Sequence, residues 1–150
     1  MRKIILRSPK PTEYLVIRSL IAKNNLNPFG LDWDSFIVAA DEDNKLVGCG
    51  QIKCHDNLKE LASLVVSDDW QGRGVSTLLM EGLLARADRP LWLMCESSLT
   101  EFYERYGFRE LLNPNDLPDY FKRVHWGSRI AFGLVFFFRG THLAVMRLDS

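Results

Sequence analysis

The spacing of apolar residues changes several times along the chain, and each change marks an element. Met1-Arg2-Lys3-Ile4-Ile5-Leu6-Arg7 reads as a first strand. Thr12, a capping type of residue, follows Pro11 and opens Glu13-Tyr14-Leu15-Val16-Ile17-Arg18-Ser19-Leu20-Ile21, whose near-helical apolar spacing predicts a first helix. Asn24 to Asp34, with Asn27-Pro28-Phe29-Gly30, is loop chemistry. Three strands are predicted next, over Phe36 to Ala40, Lys45 to Cys54 and Leu58 to Ser67. The turn-forming runs Asp41-Glu42-Asp43-Asn44 and His55-Asp56-Asn57 separate them. Such short turns imply an antiparallel meander.

Beyond Ser67 the period lengthens. Asp68-Asp69-Trp70-Gln71-Gly72-Arg73-Gly74 is a polar loop, and Val75, Leu78, Leu79, Gly82 and Leu83 then recur at helical spacing. Pro90 to Cys95 reads as a short apolar strand. Ser98-Leu99-Thr100-Glu101 has the form of a capping box, with Ser98 at N-cap and Glu101 at N3 of a helix that Gly107 ends. Leu117, Tyr120, Phe121, Val124, Ala131, Val135 and Phe138 predict one or two helices, weakened by Gly127 and Gly133, and His142 to Leu148 a last strand. The expected class is α/β (α+β mixed): a central, mostly antiparallel mixed sheet of about six to seven strands with helices on both faces.

Composition narrows the functional classes. At 150 residues the chain is expected to form a single domain over 1–150, with a core over 1–110 and a divergent helical tail plus final strand over 111–150. Nineteen basic residues balance nineteen acidic ones, so no global field is available to grip nucleic acid. Cys49, Cys54 and Cys95 are odd in number and include no C-x-x-C pair, which argues against a metal site. Placed in apolar runs, all three suit buried thiols in a reducing compartment, and the expected location is cytoplasmic. A charge returns at Arg7 before a signal-peptide core can form, and the uncharged run Ile130 to Phe138 is far below the ~18 residues of a spanning helix, so no transmembrane segment is expected.

A glycine-rich loop that leads from a strand into a helix gathers main-chain N–H groups at the positive end of the helix dipole, which suits a phosphate. Gly72 and Gly74 let a diphosphate approach the main chain, and Arg73 adds a cation; a tight turn alone would also use glycine. Val75-Ser76 stands where a Walker loop needs Lys-Ser/Thr, which excludes a nucleotide triphosphatase. A dinucleotide site shares the first two glycines, with Glu96 as a ribose-binding acid, but Thr77 replaces the third glycine and antiparallel strands precede the loop.

Leu64 to Ser76 resembles the acetyl-coenzyme A motif of the GNAT acetyltransferase superfamily, Gln/Arg-x-x-Gly-x-Gly/Ala, matched here by Gln71-x-x-Gly74-x-Ser76, with Ser76 in place of Gly/Ala. Glu101 to Phe108 is similar to a second segment of that superfamily, Phe-Tyr-x-x-x-Gly-Phe. The two motifs stand in the family's order. The resemblance covers roughly residues 1–110. It implies a GNAT-like fold and an N-acetyltransferase that uses acetyl-CoA as cosubstrate and a primary amine of a protein N-terminus, lysine or small molecule as acceptor, by direct attack. It also implies that main-chain groups of Leu64, Val65 and Val66 hold the thioester and pantetheine, and that Gln71, Gly72, Arg73, Gly74, Val75 and Ser76 hold the pyrophosphate. Tyr103 is then the general acid beside the leaving sulfur.

Glu60 aligns with the catalytic Glu of some members and lies four strand residues, ~13 Å, from Leu64. It is the first candidate base, acting through water, although a charge at a strand entrance is commonly only solvated. Glu96 and His55 are further candidates. Phe29, Asp32, Trp33 and Asp34 form either an aromatic, acidic wall for a cationic amine or caps and core filling. Lys122, Arg123, His125 and Arg129 interleave with Tyr120, Phe121, Trp126 and Phe132, so the tail could also lie on a membrane surface or a partner, with core burial the commoner outcome. A non-catalytic CoA-binding or interaction module on the same fold is thus the alternative. Either a monomer or a homodimer is compatible with the pattern.

Overall fold

The computed structural model describes residues 2–150; the expectation for Met1 lies outside them. It divides into two compact units, one of residues up to Lys53 with Leu61–Ala87, the other of Cys54–Glu60 with Asp88–Ser150. Among the described residues there are seven strands, four α-helices and five 3-10 turns. This bears out the mixed α/β, mostly antiparallel reading.

In the first unit β1 (Ile5–Arg7), β2 (Phe36–Ala40), β3 (Leu46–His55) and β4 (Leu58–Val66) follow one another in the sheet, with α1 (Tyr14–Lys23) and α2 (Val75–Arg86) packed on it. The last residues of β3 and the first of β4 belong to the second unit. Antiparallel register sets Leu6 opposite Ala39 and Val38 opposite Cys49. Alternation then sorts the side chains. Phe36, Val38 and Cys49 pack with Ile17 and Ile21 of α1, whereas Ile37 and the glycines Gly48 and Gly50 face α2. Helices therefore cover both faces. A Cβ on Gly82 would meet Leu6 Cδ1 at 2.7 Å and Ile37 Cδ1 at 3.0 Å, so glycine in mid-helix lets α2 lie close to β1 and β2.

Helix α1 starts differently from the expectation. Thr12 lies in a single 3-10 turn, Pro11–Glu13, and the Glu13 carboxylate accepts from the Lys10 N–H at 2.7 Å while pairing with Arg7 at 2.6 Å. A partly buried ion pair thus fixes the entry, and no Thr12 cap forms.

The second unit contains β5 (Leu91–Glu96), α3 (Thr100–Glu104), β6 (Arg109–Glu110), α4 (Asp119–Arg139) and β7 (Leu143–Leu148), with strand order β5-β7-β6. Trp92, Val145, Leu117 and Phe121 form its core on the α4 side. The Ser98 capping box does not form: Ser97–Leu99 is a 3-10 turn and α3 begins at Thr100 without a side-chain cap. Helix α3 stops at Glu104 with Arg105 as its C-cap, earlier than expected, and Gly107, at φ +95, closes the turn that follows. The two-residue β6 escaped the pattern because it is too short to show a period and is held by β7 alone.

The tail is one helix of 21 residues, which Gly127 and Gly133 do not break. Core burial fails for most of it. Phe121 is fully buried, but Trp126, Ile130, Phe132, Leu134, Val135, Phe137 and Phe138 are exposed. Cys54, expected to be buried, is also exposed, and its Sγ accepts from Lys59 Nζ at 2.8 Å. Among the described residues no helix is long and apolar enough to cross a membrane.

Candidate active site

In the first unit β4 ends at Val66, and a 3-10 turn (Asp68–Trp70) leads to the glycine loop. Gln71 staples the loop, its side-chain amide donating to the Val66 carbonyl at 3.1 Å and its main-chain N–H reaching the Asp68 carbonyl at 3.4 Å. The open amides begin at Gly72. Gly72 and Gly74 sit at φ +72 and +82, left-handed conformations that L side chains resist. No atom lies within 4 Å of where either Cβ would stand.

Gly74 is the N-cap of α2 and has no side chain with which to cap it. The first bond along the helix runs from the Leu78 N–H to the Gly74 carbonyl at 3.2 Å, so the N–H groups of Val75, Ser76 and Thr77 have no intrahelical acceptor. Arg73 stacks over Trp70 with its guanidinium 5.4 Å from the ring centroid, which holds the cation beside these amides. Open donors, positive dipole end and adjacent guanidinium fit a diphosphate.

Upstream, β4 contains a feature that the sequence did not signal. Ser63 adopts φ +57 inside the strand, and such a residue breaks the pleat and re-aims the main chain that follows, here Leu64, Val65 and Val66. The buried Gln51 donates to Ser63 Oγ at 2.7 Å, and the Cys49 thiol donates to the Ser63 carbonyl at 3.6 Å. The distortion is locked from within β3.

The second unit holds the titratable candidates. Tyr103, only 9% exposed, packs edge-on against Phe102 and Phe108, with ring centroids 5.0 and 6.1 Å away. Burial first, and a nearby Cys95 second, push its phenol well above the ordinary tyrosine range, so the group stays protonated.

Glu60 is not merely solvated: it is 5% exposed, with Oε2 3.0 Å from His55 Nε2. The His55 ring stacks on Tyr120 with centroids 3.9 Å apart and planes 20° from parallel. Burial and, second, Glu60 raise the Tyr120 phenol. Two of the three candidate bases are therefore one pair. Glu96 stands apart in an ion pair with Arg139 at 3.2 Å. Tyr120 was missed because 65 residues separate it from His55, and no local pattern reports such a contact.

The Phe29–Asp34 loop divides. Trp33 stacks on Tyr14 at 4.1 Å and joins the α1 core, and Asp32 accepts from the Asp34 N–H and the Ser35 hydroxyl. These two fill core and cap a turn. Phe29 remains 75% exposed.

In the first unit a strand thus runs through a glycine-bearing crook into a helix and leaves open main-chain donors where a diphosphate-bearing cosubstrate fits. The acetyltransferase (GNAT) domain model matches residues 17–125, and the chain belongs to that family. A search of curated proteins gave no match. Among solved structures, N-acetylglutamate synthase from Neisseria gonorrhoeae, complexed with coenzyme A and L-arginine, aligns at a TM-score of 0.72 and 20% identity over 98% of this chain. This chain spans 34% of that protein. Rv2747 from Mycobacterium tuberculosis, in complex with CoA, aligns at a TM-score of 0.71 and 21% identity over 97% of this chain and 99% of its own. A GNAT-family acetyltransferase from Staphylococcus aureus aligns at 0.62 and 18%, over 77% and 90% respectively. These likenesses are of fold.

Proposed function

We propose that residues 1–150 act as one acetyltransferase domain that moves an acetyl group from acetyl-CoA to a primary amine, of a protein N-terminus, lysine or small molecule. The observation that carries this reading is the open run of amides from Gly72 to Ser76 at the start of α2. There the main chain binds the cosubstrate's pyrophosphate, Gln71 keeps the loop in shape and Arg73 leaves its indole to neutralise charge. Main-chain groups of Leu64, Val65 and Val66, re-aimed by Ser63, hold the pantetheine and the thioester. Each such donor contributes a few kcal/mol where oxyanion charge develops.

The amine lone pair attacks the thioester carbonyl carbon. A proton leaves the nitrogen for Glu60, relayed by His55 and water, the carbon–sulfur bond breaks, and the departing sulfur takes its proton from Tyr103. Family membership and the CoA held by the two solved relatives support the cosubstrate. Tyr103 suits the acid because burial keeps its proton in place, and Glu60 suits the base because His55 orients it.

An acceptor panel of peptides and small amines, read by thiol release, tests the reaction. Acetyl-CoA-dependent release with at least one amine is the expected result; tight binding of CoA without release on any amine would leave the non-catalytic reading standing. In the same assay Tyr103→Phe should bind acetyl-CoA as before and lose turnover. An unchanged single-turnover rate removes Tyr103 from the mechanism.

A further inference from the structure

The C-terminal part of α4 presents an apolar stripe that none of the described residues covers. Trp126, Ile130, Leu134 and Phe137 follow one another at intervals of four, four and three residues, which places them within about 80° of arc at 3.6 residues per turn. They are 67%, 67%, 74% and 77% exposed. Together they form a surface on the order of 500 Å², near the upper end of what a monomer leaves in water.

A second observation lies beside the first. An open cleft of about 410 Å³ is lined by Lys122, Arg123, His125, Trp126 and Arg129, together with Pro114 and Asn115. No acidic residue lines it, and the side chains of Lys122, Arg123 and Arg129 have no ion-pair partner among the described residues. Over its whole length α4 carries Lys122, Arg123, Arg129 and Arg139 against Asp119 alone, in a chain whose formal net charge is zero. The cations are concentrated here. Trp126 belongs to both features, so basic cleft and apolar stripe form one continuous face.

We propose that this face docks the protein on anionic phospholipid membrane, with the cleft taking a headgroup phosphate and the stripe entering the acyl boundary. A helix with cations and an indole at the N-terminal end of an exposed aliphatic and aromatic stripe has the composition of an interfacial helix. Charge selects the occupant. A second copy seated on the stripe would offer these cations no carboxylate of α4 but Asp119 and, in an antiparallel pairing, would bring its Arg139 towards Lys122 and Arg123, whereas a lipid surface supplies the opposite sign at every cation. The proposal does not depend on the acetyl transfer proposed above.

Flotation of the full chain with vesicles of phosphatidylcholine alone, and of equal parts phosphatidylcholine and phosphatidylglycerol, tests it. The protein should float with the anionic vesicles, much less with neutral ones, and be released by salt. Replacing Lys122, Arg123 and Arg129 together by Gln should lower partition about 100-fold, at roughly fivefold per charge. Ile130→Gln with Phe137→Gln should also abolish flotation while circular dichroism stays native. Should that variant not fold, the charge variant and the neutral vesicles still decide. Equal binding to both vesicle types, absence of binding, or an unaffected charge variant overturns the proposal. So does a dimer in sedimentation velocity that Ile130→Gln dissociates without any vesicle binding, or glycerol phosphate saturating the cleft when vesicles do not bind.

Discussion

Replacing Gly74 by alanine isolates the phosphate crook from the rest of the fold. At φ +82 an L residue is strained by roughly 1–2 kcal/mol. Restricting the unfolded chain returns about 0.4–1 kcal/mol. Because the new methyl meets no atom within 4 Å, no clash adds to this. Net destabilisation should therefore be about 1 kcal/mol, or ~2–4 °C of melting temperature for a chain of this size. Binding should suffer more. The methyl projects into the space where a diphosphate would accept from the main chain, and each charge-assisted hydrogen bond contributes about 1.5–3 kcal/mol. Loss of one such bond raises the Kd for CoA by about thirtyfold at ~2 kcal/mol. Gly30→Ala is the matched control, with φ +64 and equally empty surroundings. Calorimetric titration of both variants gives the comparison. If Gly74→Ala binds CoA as tightly as Gly30→Ala does, the amides at the start of α2 are not the diphosphate site.

Glu60→Gln should cut kcat/KM by about 10²–10⁴ and remove the acidic limb of its pH profile, since a base is lost as pH falls through its pKa; a limb that persists unchanged assigns the base elsewhere. Phe121→Ala empties a fully buried position stacked 5.1 Å from Trp92 and should cost about 3–5 kcal/mol in denaturant unfolding, a loss under ~1 kcal/mol being incompatible with that core. Burial pushes the Cys49 and Cys95 thiols up to about 12. A raised folded pKa means stability is full below the ordinary thiol pKa, ~8.5, and falls as pH climbs towards the folded value, with at most ~1.4 kcal/mol per pH unit for each group. Cys49→Ala should make that slope shallower, and an unaltered slope between about pH 8.5 and 10.5 contradicts the assignment.

Much of this was legible where chemistry is local. The three meander strands lie within a residue or two of their expected bounds, because Asp41–Asn44 and His55–Asn57 leave the chain few options but to turn. The glycine loop was equally readable, since a left-handed backbone is written into the sequence as glycine. Ser63 shows the limit of that rule: its positive φ is imposed by Gln51 and Cys49 from the neighbouring strand, so no residue type announces it. The Ser98 box failed for a related reason. A 3-10 turn at Ser97–Leu99 occupies the place of the expected first helical turn, and capping chemistry in the sequence states a preference that the backbone did not adopt. The pairing of Glu60 with His55 across the hairpin was half visible, as two separate candidates, but the stacking of Tyr120 required the folded chain. Helical spacing placed α4 correctly and said nothing about which side would meet water.

The tight seat of α2 carries a lesson for anyone engineering a hardier version of this protein. Exchanging mid-helix glycine for alanine is a standard way to raise thermal tolerance, worth about 1 kcal/mol. Gly127 and Gly133 have empty surroundings and are suitable targets, whereas at Gly82 the added carbon would meet the terminal methyls of Leu6 and Ile37 at 2.7 and 3.0 Å, which must turn aside to admit it. A redesign should leave that position until last, since the gain there is set against repacking of Leu6 and Ile37 under the helix that carries the phosphate-facing amides at its leading end.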